Sequence, residues 1–315
     1  MTVDSFDTFP SREWRVGLFT SLFGGKKKPS INSKGMKKAD FTKRWDLRGR
    51  TGQGSMSKVY QAYDKELGRQ VCLKVMDREK TIRFEARFTQ MGLVKPQEGE
   101  ICMALQHANL VRSYEFGQTL KGEPYLVMEW IDGLGLNYLI ETKNAQLNGN
   151  RMNYLGQLCD AVQYLHDTKY LHRDLCPRNV MVDKEGVVKL IDFGLTIPYT
   201  PPFCQPGNRT GTMDILAPEI IKRGRTDHRV DLFALGVTAF EMITGHLPWE
   251  RSISSEENLR RRLNTNPRKP KELAPHLDDD ICEILTKSVS RDPAERYASA
   301  NQFKEVLLTA GNQKL

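Results

Sequence analysis

The spacing of apolar residues changes character along the chain, and the change comes near residue 132. Between Trp45 and that point, short alternating runs predict strands over 59–64 and 70–76, and a more continuous apolar run predicts a buried strand over 125–131. Residues 97–106 instead have a helical spacing. The first part of the chain therefore predicts a small strand-rich unit with a short helix.

Helices predominate after residue 132. Residues 151–166 place their apolar side chains on one helical face, which predicts an amphipathic helix. Residues 230–245 are apolar almost all round, so we expect a central buried helix that ends at Gly245. Together these patterns predict a small strand-rich lobe followed by a larger helical lobe.

Composition narrows the class of protein. The 315 residues are 39% hydrophobic and 27% charged, which is typical of a globular chain and excludes disordered, collagen-like and disulfide-stapled classes. No apolar run reaches the roughly 20 residues of a membrane helix. Asp4 and Asp7 precede any apolar stretch, which argues against a secretory signal. The six cysteines are scattered, so we interpret them as reduced thiols of a cytoplasmic protein.

The net charge of +8 is concentrated in a leader over residues 1–44. That leader has ten basic and four acidic side chains, which leaves only +2 for residues 45–315 and gives no reason to expect nucleic acid as a partner. Residues 11–23 have a roughly helical spacing and 26–38 form a basic linker. Two interpretations stay open: residues 11–38 dock on a regulatory partner or a membrane surface, or the helix packs on the domain or stays disordered.

A hairpin with two glycines comes first among the motifs that carry chemistry. Gly52 and Gly54 lie between two predicted strands, where glycine lets the backbone close over phosphates. Lys74 lies in the next apolar strand, where a lysine needs an anionic partner. Glu98 is the first choice for that partner, and Glu100 is the second.

Three further polar residues fall on one predicted hairpin and the loop before it. Asp174 follows His172 and Arg173, Asn179 precedes the strand at 180–182, and Asp192 follows the next turn. This arrangement brings one base and two oxygen ligands for Mg²⁺ near a single point.

The order of these motifs resembles that of the eukaryote-like (Hanks-type) protein kinases, and most of all the bacterial serine/threonine kinases. The resemblance covers about residues 46–310 and continues through Gly211-Thr212, Ala217-Pro218-Glu219, Asp231 and Arg291-Asp292-Pro293 with Arg296. It implies an α+β, bilobal protein kinase fold with one regulatory helix in the small lobe. The predicted divisions are a leader over 1–44, a kinase domain over 45–310 with lobes at about 45–130 and 133–310, and a short tail over 311–315.

The resemblance assigns roles to the catalytic residues. Lys74 holds the α- and β-phosphates of ATP while it is paired with Glu98. Asp192 and Asn179 bind Mg²⁺, with Mn²⁺ as an alternative ion, and Asp174 orients the acceptor hydroxyl and takes its proton.

ATP binding and structural support are assigned in the same way. Val59, Cys72 and Met181 would sandwich the adenine, with Met128 behind it. The implied ATP-binding set is Thr51, Gly52, Gln53, Gly54, Ser55, Met56, Ser57, Lys58, Val59, Cys72, Lys74, Met128, the Glu129 carbonyl, the Ile131 amide and Met181. The implied structural set is Glu219, which pairs with Arg296, and Asp231.

Regulation is implied by Arg173, which in such kinases binds a phosphate on the activation segment and so orders residues 195–212. The candidate phosphorylation sites are Thr196, Thr200 and Thr210, whereas Thr212 is expected to bond Asp174. The segment is also rich in proline, so order without modification stays open.

Two departures from the family pattern matter. Cys176 replaces a lysine that usually reaches the transferring phosphate, and Arg178 either substitutes for that charge or faces solvent. Pro96 and Gly99 lower the helix propensity around Glu98, which indicates either a mobile helix or a shorter one.

The resulting prediction is an ATP-dependent protein kinase that phosphorylates serine or threonine on protein substrates and on itself, located in the cytoplasm or peripherally on a membrane. A pseudokinase that acts as a scaffold or nucleotide-sensing module is the first alternative. A dual-specificity or tyrosine kinase is the second, and a small-molecule kinase is disfavoured by the long activation segment.

Overall fold

The computed structural model describes residues 36–53, 56–207 and 210–312. The predicted leader helix therefore lies outside the described residues, as do Gly54 and Ser55 of the glycine hairpin. The strands are β1 Lys38–Ala39, β2 Trp45–Gln53, β3 Ser57–Asp64, β4 Arg69–Met76, β5 Ser113–Thr119, β6 Pro124–Glu129, β7 Gly133–Gly135, β8 Tyr170–Leu171, β9 Val180–Asp183, β10 Val188–Leu190 and β11 Ile197–Pro198. The helices are α1 Phe41–Arg44, α2 Arg78–Thr89, α3 Glu98–Ala104, α4 Leu136–Glu141, α5 Arg151–Asp167, α6 Pro218–Ile221, α7 Arg229–Thr244, α8 Ser255–Asn264, α9 Pro270–Leu273, α10 Asp279–Ser288 and α11 Ala300–Asn312.

The predicted bilobal α+β architecture is confirmed. A six-stranded sheet in the order β1-β5-β6-β4-β3-β2 forms the N-lobe, and helices predominate after β6. In this sheet Val59 pairs with Lys74, and Cys72 pairs with Met128. Directly paired residues share a face, and so do residues two apart on one strand, so these four side chains project from the same face of the sheet.

The opposite face of the sheet packs on a separate core. Trp45, Leu73 and Tyr125 are buried there. Asp64 is fully buried, accepts a hydrogen bond from the Trp45 indole at 2.8 Å and forms an ion pair with Arg44 at 2.8 Å. The buried charges are thus paired, as the low dielectric of the interior requires.

Two helices of the N-lobe differ from the sequence pattern. Residues 78–89 form the twelve-residue helix α2, which the pattern did not predict, and the Asp77 carboxylate caps it by accepting from the Lys80 amide at 3.0 Å. Helix α3 is only seven residues long, the shorter of the two outcomes left open. Gly99 faces Phe116 so closely that an added Cβ would lie 2.4 Å from the ring. Close packing, rather than mobility, accounts for this glycine.

The C-lobe is built on two long helices. Both were predicted closely: α5 spans Arg151–Asp167 and the almost wholly buried α7 spans Arg229–Thr244. Gly245 ends α7 with a left-handed φ of 74°, a conformation that glycine adopts without strain. Strands β9 and β10 form a hairpin with β7 paired to β9, and its buried residues belong to the same core as α5 and α7. None of the helices in the described ranges is long and apolar enough to cross a membrane.

Candidate active site

Lys74 lies at the centre of the interface between the lobes. Its Nζ is 2.6 Å from Glu98 Oε1 and 2.8 Å from Asp192 Oδ1. The first choice of partner is therefore the one observed, because Glu100 instead accepts a hydrogen bond from the Gln97 amide at 2.7 Å. One ammonium group thus connects β4, α3 and the loop after β10.

Charge pairing outweighs burial at this cluster. Burial disfavours the Lys74 ammonium, yet the Asp192 and Glu98 carboxylates raise its pKa above the ordinary value. Burial likewise acts to raise the pKa of Asp192, but the ammonium of Lys74 outweighs it and lowers that pKa. Lysine and aspartate are therefore both charged at neutral pH. The Asp192 side chain is still 45% exposed, so it remains accessible to a ligand.

Asp174 is held by groups from two segments of the chain. Its Oδ1 accepts from the Thr212 amide at 2.8 Å, and its Oδ2 accepts from Asn179 Nδ2 at 3.0 Å. Asn179 Nδ2 also donates to the Asp174 carbonyl at 2.8 Å, which leaves the amide oxygen of Asn179 as its remaining polar atom. Thr212 thus contacts Asp174 as expected, through its backbone rather than its hydroxyl.

The buried carboxylate of Asp231 fixes the loop that carries Asp174. Asp231 is 1% exposed and accepts from the backbone amides of His172 at 2.8 Å and Arg173 at 2.9 Å. Its Oδ2 also lies 3.1 Å from His166 Nε2. Arg173 has a left-handed φ of 69°, a strained backbone that these hydrogen bonds stabilise.

Apolar side chains surround the position expected for the adenine. Val59, Cys72 and Met181 are each partly buried, and the last two pack on a core that includes Met128 and Ile131. Burial raises the pKa of Cys72 to about 11, so its thiol is neutral and forms an apolar wall.

Lys189 of β10 was not identified from the sequence. Its Nζ lies 3.0 Å from Glu129 Oε1, and the same oxygen accepts from the Arg112 amide at 2.8 Å. These contacts fix the side chain of Glu129. A lysine in a short strand gives no local signal of such a contact.

The glycine hairpin continues the sheet towards the site. Gly52 pairs with Val59, and Gln53 pairs with Lys58. The side chain of Met56 packs on an aromatic cluster formed by α2 and the activation segment. The sequence prediction for Thr51–Ser55 extends beyond what the structure describes, because only the backbone of 51–53 is described.

Cys176 and Arg178 occupy different environments. Cys176 is 4% exposed, and burial, followed by the Asp174 carboxylate, raises the pKa of its thiol. A neutral buried thiol cannot supply the missing positive charge. Arg178 lies at the surface of the same loop.

The structure disfavours one of the predicted phosphorylation sites. Thr196 is fully buried, and its hydroxyl donates to the His172 carbonyl at 3.5 Å, so it is inaccessible to a kinase in this conformation. Thr200 is exposed and Thr210 is half-buried. Arg173 is itself 4% exposed, so a phosphate reaches it only if the surrounding residues move.

The end of the activation segment is joined to the C-lobe by a bidentate ion pair. Arg296 donates to the two carboxylate oxygens of Glu219 at 2.8 Å each, and its side chain is 0% exposed. The expected pairing of these residues is therefore present. Planar bidentate geometry of this kind favours arginine over lysine.

Comparison with known proteins identifies the family. Residues 45–308 match the family model described as protein kinase domain. The chain belongs to the protein kinase family. Similar proteins include the serine/threonine-protein kinase PrkC of Bacillus subtilis, 28% identical over 263 residues, which are 82% of this chain and 39% of the relative. Another is the serine/threonine-protein kinase PknB of Mycobacterium tuberculosis, 28% identical over 277 residues, or 85% and 43% of the two chains.

An Aurora kinase of Saccharomyces cerevisiae is also similar, at 30% identity over 254 residues, which are 80% of this chain and 65% of that kinase. The alignments with these three relatives thus cover between 39% and 65% of the relatives' own lengths. The resemblance of this kinase domain to bacterial serine/threonine kinases is confirmed.

Proposed function

We propose that this kinase domain transfers the γ-phosphate of ATP to serine or threonine hydroxyls of protein substrates, and to its own. The observation that carries the proposal is the single cluster in which Lys74 contacts both Glu98 and Asp192. Phosphoryl transfer needs alignment and charge neutralisation more than covalent chemistry. An assembled pair of lysine and glutamate meets the first requirement, because it sets the position of the lysine relative to the phosphates.

The residues present suit ATP with a divalent cation. Among the described residues no group of three or more His, Cys, Asp or Glu side chains forms a metal site by itself. Asp192, with its half-exposed carboxylate, and Asn179, with its free amide oxygen, offer two hard oxygen ligands, as Mg²⁺ prefers when phosphates complete its shell. We propose Mg²⁺ as the ion and Mn²⁺ as a substitute; bound there, the cation neutralises charge on the phosphate oxygens.

The protein's own groups then perform the remaining steps. Asp174 orients the acceptor hydroxyl and takes its proton, and its bonds to Asn179 and Thr212 fix the direction of the carboxylate. Lys74 compensates the negative charge of the α- and β-phosphates. The apolar wall of Val59, Cys72 and Met181 would exclude water around the adenine.

The same residues distinguish this proposal from the pseudokinase alternative. Cys176 and the unusual helix around Glu98 are the sequence features that favour a scaffold. Yet Lys74 contacts both Glu98 and Asp192, and Asn179 bonds to Asp174. We retain specificity for serine and threonine because curated relatives carry those names.

Labelled phosphate transfer tests the specificity. The full chain is incubated with labelled Mg-ATP, alone and with a generic basic protein, and the phosphorylated residues are mapped. We expect label on serine and threonine, on the basic protein and on the chain itself. Label on tyrosine would overturn the specificity, and binding of Mg-ATP without label on either protein would favour the nucleotide-sensing module.

The role of leader residues 11–35 rests on sequence alone, because the structure describes the leader only from residue 36, where β1 joins the N-lobe sheet. We propose that residues 11–38 recruit a regulatory partner or an anionic membrane surface, because apolar residues precede a run of lysines. Co-sedimentation of the full chain with vesicles that contain anionic lipid, compared with neutral vesicles, tests the membrane form of this proposal. Equal sedimentation with both would contradict it.

A further inference from the structure

Helix α2 of the N-lobe contacts the activation segment of the C-lobe. Phe84 and Phe88 lie one helical turn apart on α2, with ring centroids 5.6 Å apart in an edge-to-face arrangement. The ring of Phe88 also lies 5.7 Å from that of Phe203, a residue of the activation segment. Both distances fall in the range of favourable aromatic pairs.

These phenylalanines belong to a small hydrophobic core of their own, which we call the aromatic clasp. Its members are Phe84, Phe88, Leu171, Ile197, Phe203 and Cys204, with Met56, Leu93, Leu195 and Tyr199 packed against it. Phe88 is 1% exposed and Phe203 is 6% exposed, so the contact is desolvated. Leu171 directly precedes His172 and Arg173, so the clasp also reaches the loop that carries the catalytic aspartate.

Cys204 of the clasp lies near Arg173, the residue expected to bind a phosphate of the activation segment. Arg173 is 4% exposed and Cys204 is 5% exposed. Burial raises the pKa of the Cys204 thiol, and the guanidinium of Arg173 is near enough to oppose that rise. The Thr226 amide donates to the Cys204 carbonyl at 3.0 Å, which fixes the segment on its other side.

We propose that Phe88 and Phe203 are positioning residues that hold the activation segment ready for substrate without a phosphate at Thr200 or Thr210. The inference rests on the proposed kinase function. Helix α3 belongs to a different core, through Ile101, Cys102 and Leu105. Loss of the clasp should therefore impair use of the protein substrate much more than the binding of Mg-ATP, although Met56 of the glycine hairpin also packs on the clasp.

Kinetics on the full chain test the proposal. Phe88→Ala and Phe203→Ala should each lower kcat/KM for the protein substrate by about ten-fold, the rate equivalent of one aromatic contact. The double variant should lose little more, because both changes remove the same contact. Mg-ATP should still raise the melting temperature as in the unaltered chain. Ile82→Ala, on the exposed side of the same helix, is the matched control and should not change kcat/KM.

Two further variants separate positioning from folding and from phosphorylation. Phe88→Leu keeps an apolar side chain and should restore most of the activity. A chain with Thr200→Ala and Thr210→Ala should keep the activity of the unaltered chain. Unchanged kcat/KM in Phe88→Ala, or a loss in the double threonine variant as large as that in Phe88→Ala, would overturn the proposal.

Hydrogen exchange tests whether the clasp orders the activation segment, independently of kinase activity. Amides of residues 195–207 should exchange faster in Phe88→Ala, whereas those of α10 should not change. If the unaltered chain transfers no phosphate, the proposed function fails, and the exchange measurement still decides whether the clasp orders the segment. Equal exchange at 195–207 in both chains would contradict the clasp.

Discussion

Lys74 contacts groups from both lobes, and its positive charge links the carboxylates of Glu98 and Asp192. Its two carboxylate partners come from α3 and from the loop after β10, at 2.6 and 2.8 Å. A lysine that is 7% exposed needs such partners to stay charged. The same side chain thus reports whether α3 and the loop after β10 are both in place.

Replacement of Lys74 by methionine should lower phosphate transfer by at least about 100-fold, because the phosphates lose an electrostatic partner. Lys121→Met is the matched control, since Lys121 is exposed in the turn between β5 and β6. Initial rates with labelled ATP measure the effect. Similar rates for the two variants would show that Lys74 has no part in transfer.

Asp231 gives a prediction about pH. Burial acts to raise its pKa, but the bonds and charges of His166 and its other donors lower it below the ordinary value. Its folded pKa lies below the unfolded one, so the stabilisation is complete above an unfolded pKa of about 3.9 and is lost as pH falls further. Asp231→Asn should cost about 3 kcal/mol of unfolding free energy at neutral pH.

Urea unfolding of the unaltered chain and of Asp231→Asn, between about pH 7 and about pH 3, measures how the unfolding free energy depends on pH. The difference between them should narrow as the pH falls below about 4. A difference that stays constant or grows at acid pH would contradict the assignment.

Among the secondary-structure elements, α3 packs closely on β5 because Gly99 has no side chain. Gly99 allows the helix to approach Phe116, and this approach brings Glu98 within reach of Lys74. Helix propensity alone would favour alanine at this position. Packing therefore prevails over propensity here.

Gly99→Ala should lower kcat/KM by about ten-fold or more, because overpacking displaces α3 and lengthens the contact between Lys74 and Glu98. Adding Phe116→Ala should restore part of the activity by making room. Gly49→Ala is the control, since no atom lies within 4 Å of its added Cβ. An active Gly99→Ala chain would exclude the packing explanation.

The ion pair of Glu219 and Arg296 joins the activation segment to the residues before α11. Glu219→Ala leaves the buried Arg296 without its carboxylate and should cost about 3–5 kcal/mol. Glu250→Ala removes an exposed pair with Arg268 at 3.2 Å and should cost less than about 1 kcal/mol. Chemical denaturation measures both, and equal losses would show that burial does not set the strength of these pairs.

Over the whole molecule, the sequence predicted the division into two lobes, several of the main strands and helices, and the central cluster. Strands β3, β4 and β6 and helices α5 and α7 lie within a few residues of their predicted bounds. Their apolar periodicity is local, and so are the motifs around Asp174 and Asp192. Local patterns of this kind are readable from one sequence.

Contacts between distant segments were not predictable in this way. The pairing of Phe88 with Phe203 and of Glu129 with Lys189 depends on how separate elements meet. Helix α2 is rich in charged residues and has few apolar positions, so its pattern did not stand out. The burial of Thr196 likewise follows from tertiary packing that composition does not reveal.

The proposed transfer of phosphate with Asp174 as the base is tested most directly by measuring nucleotide binding and phosphate transfer in the unaltered chain and in Asp174→Asn. We predict that both chains bind Mg-ATP, seen as a rise in melting temperature, and that only the unaltered chain labels serine and threonine. Equal labelling by both chains, or binding without transfer in the unaltered chain, would contradict the account.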